Sequence, residues 1–233
     1  MRERSKLLSG RPGAPPVKAG RSSGKVAVIP RLPPAERRAL ILARACDFFA
    51  EYGLTGQTRA LAAACGIAQR LLYRYFPSKS ALLDEVYREA IVSPFQAVWL
   101  VQLKDRTRPF ERRLFEFYCS YYDTVLTRKW LRLFLYASLA EARMAPDYIT
   151  AILFELLETI VREAAFEQRI DLPSDPELLH ELGWVLHGAV SHLAIRRHVY
   201  GASQTVAERR VLVLHVRGFL AGLTDMAAEA QSF

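Results

Sequence analysis

Apolar positions recur along this chain every three or four residues, the spacing that places side chains on one face of a helix. The first such run follows Pro33-Pro34: Leu40, Ile41, Ala45, Phe48 and Phe49 share a stripe, and Gly53 stands where a positive φ would end the helix. Two short helices are predicted next, about 58–64 and 68–75, separated by Cys65-Gly66-Ile67. Pro77-Ser78 closes the second and opens a fourth helix, with Ser78 as its N-cap. Beyond it, long amphipathic helices are expected near 94–105, 109–127, 129–144, 147–170, 175–200 and 205–229. No segment alternates with the period of a strand, so the fold class predicted is all-α.

The short pair has the construction of a helix-turn-helix, at about 57–76. Ala62 and Ala63 are small enough for two helices to cross closely, and Gly66 supplies the positive φ the turn requires. Leu61, Ile67, Leu72 and Phe76 would point inward with Phe48. That leaves Gln69, Arg70, Tyr73 and Arg74 on the outer side of the second helix, where such groups can enter a major groove and read base edges.

The surrounding residues narrow this further. Gly66-Ile-Ala-Gln-Arg-Leu-Leu-Tyr-Arg-Tyr-Phe-Pro-Ser-Lys-Ser-Ala-Leu82, with the aromatic-rich Ala45–Gly53 upstream, resembles the TetR/AcrR family of bacterial regulators over about residues 38–92. The resemblance implies an N-terminal head (34–92, including a connecting helix) and a larger ligand-binding and dimerisation domain (93–233). It implies phosphate contacts from Tyr73 and Lys79, groove-facing roles for Gln69, Arg70 and Tyr75, and a cap or phosphate contact from Thr58. Two positions depart from the family pattern. Ala68 stands where Ser or Thr is common, and Arg70 where Gly is common. Arg70 either pairs with a guanine or reaches a phosphate.

Charge changes the picture at one end only. The formal net charge is +8, yet residues 1–33 hold eight basic side chains against the single Glu3. This Gly-, Pro- and Ser-rich tail is expected to be disordered. It either reaches along DNA or serves as a solubilising extension. Cys46, Cys65 and Cys119 are far apart and form no CxxC pair, which points to neither a disulfide framework nor a zinc site and suits a reducing, cytoplasmic setting. The longest stretches without Asp, Glu, Lys or Arg, 90–103 and 182–195, have 14 residues each and fall short of a membrane span. The N-terminus has no apolar core of a secretory signal.

Residues 94–144 are rich in aromatic side chains, including more tyrosines than a dry core would hold, since each hydroxyl needs a partner. A partly apolar effector pocket is therefore expected, with Trp99, Tyr118, Tyr122, Phe134, Trp184 and His187 as candidate lining. Glu177-x-x-His180 is half of a di-iron motif, without the second pair such a site needs. No metal or cofactor is expected, and no catalytic motif points to an enzyme. The function expected is a DNA-binding transcriptional regulator acting on double-stranded operator DNA as a homodimer through its last two helices. An apolar or aromatic effector would release it as a repressor, with activation or co-repression left open. The competing reading is a helical small-molecule-binding protein whose head no longer binds DNA.

Overall fold

The computed structural model describes residues 32–140, 146–201 and 205–232, and these are helical with no strand. The basic tail, through residue 31, lies outside the described residues. Ten α-helices follow in order: α1 (Pro34–Tyr52), α2 (Thr58–Ala64), α3 (Gln69–Tyr75), α4 (Lys79–Tyr87), α5 (Val98–Leu103), α6 (Phe110–Thr124), α7 (Arg128–Leu139), α8 (Pro146–Gln168), α9 (Pro176–His198) and α10 (Glu208–Gln231). A π-helical segment, Arg88–Val92, prolongs α4, and its wide turn is closed by Ser93 N donating to Arg88 O at 3.0 Å. The expected helix near 94–105 therefore starts later, after the π segment and the turn that follows it.

Local chemistry sets most boundaries. Pro34 and Pro176 occupy first helical turns, where the missing N–H costs nothing. Ser78 accepts from Ala81 N at 3.0 Å, Thr127 from Trp130 N at 3.2 Å, and Asp175 from Glu177 N at 2.8 Å. Gly53 ends α1 at φ 80°, and its N–H returns to Phe49 O.

The helices α1 to α4 enclose Ile41, Ala45, Phe49, Leu61, Leu72 and Phe76, which belong to one core continuous with that of the later helices. In the body, α6 packs against α5, α8, α9 and α10. One buried polar cluster ties the α5–α6 turn to α8. Arg113 donates to Glu163 at 3.2 Å and to the Leu103 and Arg108 carbonyls, and Arg106 reaches Glu163 at 2.8 Å. Burial by itself would raise the Glu163 carboxyl, but these donors hold it below its usual range.

Head and body meet where α7 crosses the end of α1. Lys129 pairs with Asp47 at 2.5 Å and Arg128 with Glu51 at 2.9 Å, while Arg132 donates to the Ala50 and Glu51 carbonyls at 2.5 and 2.8 Å. Trp130, also on α7, donates its indole N–H to Ile91 O in the π segment at 3.1 Å. One helix thus grips both α1 and the connection out of the head.

Candidate functional site

The turn between α2 and α3 is a Schellman closure. Ile67 N donates to Ala62 O and Gly66 N to Ala63 O, both at 3.0 Å, with Gly66 at φ 66°. From α1, Arg44 donates to Cys65 O at 3.2 Å and fastens the end of α2. Ala62 is buried in the crossing as expected, whereas Ala63 is exposed and takes no part in it.

Leu72 and Phe76 anchor α3 from below, which leaves Gln69, Arg70, Tyr73 and Arg74 on its exposed side. Tyr75 is half-buried and packed against the core, so only part of it faces out. Lys79 begins α4 with its ammonium 5.9 Å from the Phe49 ring centroid. Residues 57–79 contain no Asp or Glu but carry Arg59, Arg70, Arg74 and Lys79. Among the described residues no carboxylate pairs with Arg59, Arg70 or Arg74, so their charge is available to an anionic partner. Thr58 is the first residue of α2, 8% exposed, and its hydroxyl bonds to the side chains of Gln69 and Tyr73 on α3 rather than capping its own helix.

The aromatic candidates of the body divide. Tyr118, Trp184 and His187 come together: the His187 ring centroid lies 6.1 Å from that of Tyr118 and 5.3 Å from that of Trp184. Trp99 joins them through Phe117 and Tyr121, with its indole N–H satisfied by Ser120 Oγ at 3.1 Å. Tyr122 instead faces His198 at 5.9 Å, and Phe134 stacks on Trp130 at 4.8 Å beside the head. Tyr121, which the sequence reading did not single out, is the centre of the cluster, fully buried and 5.2 Å from His187. Its spacing of three from Tyr118 on one helix was the available signal. Burial pushes the Tyr118 and Tyr121 hydroxyls well above the ordinary phenol range and His187 down to about 4, so all are neutral near pH 7. The Tyr118 hydroxyl is buried without a hydrogen-bond partner. Among the described residues no group of His, Cys, Asp and Glu is arranged to hold a metal ion.

The outer side of α9 and α10 is open and largely apolar, with Glu181, Asp225 and Glu229 also lining it. Val185 and Leu214 are 52% and 68% exposed, and a groove of about 580 Å³ runs between Leu178, Leu182, Val185 and Met226. Gly188 and Gly218 have open space where a Cβ would stand. Gly183 differs: a Cβ there would meet that of Leu157 at 2.7 Å, so its smallness serves the α8–α9 crossing inside the body.

Residues 41–86, which span α1 from its second turn through α4, match the sequence profile of bacterial regulatory proteins, tetR family. Over these residues the chain is similar to the tetR family of bacterial regulatory proteins. Solved structures extend the likeness of fold over the body. A TetR-like transcriptional regulator from Rhodococcus sp. RHA1 aligns at 22% identity and TM-score 0.60, covering 82% of this chain and 100% of that one. A transcriptional regulator from Pseudomonas aeruginosa PAO1 aligns at 21% identity and TM-score 0.58, covering 87% and 96%. A TetR-family regulator from Mesorhizobium loti aligns at 16% identity and TM-score 0.54, covering 80% and 96%. No curated protein sequence gives a significant match. This chain thus shares the helical fold of these structures, and its residues 41–86 match the tetR-family profile.

Proposed function

We propose that this tetR-family protein is a repressor that binds operator DNA as a homodimer and is released by a small apolar or aromatic effector. The observation that carries DNA binding is the exposed side of α3. Gln69, Arg70, Tyr73 and Arg74 project together from a short helix braced by buried Leu72 and Phe76, in a motif free of acidic residues. Such a helix enters a major groove end-on, with its first residues nearest the bases. In this reading residues 34–92 are the head and 93–233 the regulatory domain. Gln69, Arg70 and the outer edge of Tyr75 face base edges, Arg74, Tyr73 and Lys79 face phosphates, and the protein is cytoplasmic and not an enzyme.

The effector would be met by the Tyr118, Tyr121, Trp184 and His187 cluster, where aromatic rings pack around neutral polar groups. An effector relieves repression only by as much as it prefers the conformation with wrongly spaced heads.

The second copy would cover the exposed face of α9 and α10. By length and composition α10 is apolar enough to cross a membrane, although only 28% of its most apolar stretch is buried. Burial against a partner's helices accounts for that surface without a bilayer.

Two substitutions, each removing one positive charge, test the DNA reading against duplexes selected by the protein from a random library. Arg70→Ala should cost about 1–3 kcal/mol on the selected sequence and much less on random DNA. Lys79→Ala should weaken both about equally and lower the log–log salt slope by roughly 0.9. Equal losses for Arg70→Ala on both DNAs would make Arg70 a phosphate contact. A wild-type protein that enriched no sequence would leave only the small-molecule-binding alternative.

A further inference from the structure

Thr58 connects the two helices of the motif in a way that bears on sequence preference. Its Oγ1 lies 3.1 Å from Gln69 Nε2, which donates to it, and 2.9 Å from Tyr73 Oη. The N-cap of α2 is Gln57 and makes no side-chain cap, so the Thr58 hydroxyl is not spent on its own helix. Ala68, the N-cap of α3, makes no side-chain cap either, so the first turn of α3 lacks the tether a Ser or Thr there would supply. The Thr58–Gln69 bond instead ties this turn to α2, side chain to side chain. Gln69 is exposed and Tyr73 is 38% exposed, so a single hydroxyl steadies two side chains on the face offered to DNA.

We propose that Thr58 is a positioning residue that holds Gln69 in the orientation that reads adenine. The proposal rests on the assignment of α3 as the recognition helix. A carboxamide has two N–H donors and one carbonyl acceptor. One N–H spent on Thr58 leaves the other beside Oε1, a donor and an acceptor side by side. In the major groove, adenine offers the complement, with N7 as acceptor and N6–H as donor. Guanine offers two acceptors on the same edge, N7 and O6, and would leave Oε1 facing an oxygen. The hydroxyl shared with Tyr73 has one hydrogen, so when Thr58 donates to Tyr73 the phenol keeps its own hydrogen for a phosphate oxygen. Base reading and backbone positioning then share one oxygen atom.

The test uses the full chain and duplexes it selects from a random library, each base pair then being replaced in turn and affinities measured at one salt concentration. In the wild type, changing one A·T pair in each half-site to G·C should cost on the order of tenfold to hundredfold in affinity. Thr58→Val preserves the shape and removes the hydroxyl. It should flatten the penalty at that pair, as Gln69→Ala does, and the double variant should discriminate no worse than either single one. Thr58→Ser should restore the penalty. Gln69→Glu, a change on an exposed side chain that does not threaten folding, leaves only acceptors and should move the preference at that pair from adenine to cytosine, whose N4–H₂ is a donor. The proposal is overturned if Thr58→Val weakens every sequence equally, random DNA included, since Thr58 would then act on the backbone. It is overturned as well if Gln69 controls a pair other than A·T, or if the losses in discrimination add. Failure of the wild type to select any sequence would instead strike the recognition-helix assignment beneath it.

Discussion

At the scale of single residues, burial decides protonation. His187 is 3% exposed among three aromatic rings, and desolvation lowers its pKa to about 4 from an ordinary 6.5. The unfolded chain therefore binds a proton there more readily than the folded one. The stability contributed by neutral His187 is complete above about pH 6.5 and is lost as the pH falls from there toward 4. By pH 5 the loss should be on the order of 2 kcal/mol, read as the difference in unfolding free energy between pH 7.5 and 5.0 in urea. Burial also lowers His198 and His215, so the comparison is with His187→Phe, which keeps an aromatic ring and removes the titration. The variant should lose markedly less stability on acidification. An unchanged loss would assign the acid sensitivity to other groups.

At the scale of elements, α7 holds the head to the body by two kinds of contact of unequal worth. Lys129–Asp47 and Arg128–Glu51 are ion pairs between side chains at least 49% exposed, the sort worth at most about 1 kcal/mol each. Arg132 is half-buried and donates to the last carbonyls of α1, a helix with no basic residue in its own last turn. Its guanidinium caps orphan acceptors at the negative end of the helix dipole and also reaches Tyr136 Oη at 2.9 Å. Arg132→Ala should cost about 1–2 kcal/mol and lower the thermal midpoint by roughly 2–8 °C, while Lys129→Ala should barely move it. Calorimetry on the two variants decides the matter, and equal losses would mean that side-chain charge pairs hold the joint. The neighbouring π segment is held by the same helix, because Trp130 donates to the buried Ile91 carbonyl.

For the whole molecule, the proposed dimer rests on the exposed face of α9 and α10. Val185 and Leu214 lie on its open side, and Gly188 and Gly218 allow close approach of another helix. A charge placed there would be forced into a desolvated interface without a partner, at a cost of several kcal/mol. Leu214→Glu should therefore yield monomers by light scattering at micromolar concentration, with the far-ultraviolet helical signal unchanged. Its operator affinity should fall as well, because a monomer engages one half-site rather than two. A wild-type protein that is itself monomeric at that concentration would refute the dimer. A variant that stayed dimeric would move the interface to another surface.

What the sequence determined by itself was local. The helical period, Pro34 and Pro176 in first turns, Ser78 as a cap, and Gly66 at positive φ each act within a few residues, and together they specify the all-α fold and the helix-turn-helix. The outward set on α3 followed from the same period, because Leu72 and Phe76 leave little choice of inner face. Contacts between distant residues were decided only in three dimensions. The bonds of the Thr58 hydroxyl require Gln69 and Tyr73 from the next helix, 11 and 15 residues on. Tyr122 leaves the aromatic cluster, and Tyr121 takes its centre, because His198 and His187 arrive from another part of the chain. Phe134 instead stacks locally on Trp130, one turn earlier on α7. Gly183 was chemically indistinguishable from Gly188 along the chain, yet one admits Leu157 to the core and the other faces open space. The π segment left no mark in the pattern, since the Trp130 donor that meets its Ile91 carbonyl is 39 residues away. A period shows which residues share a face, and only packing shows what that face meets.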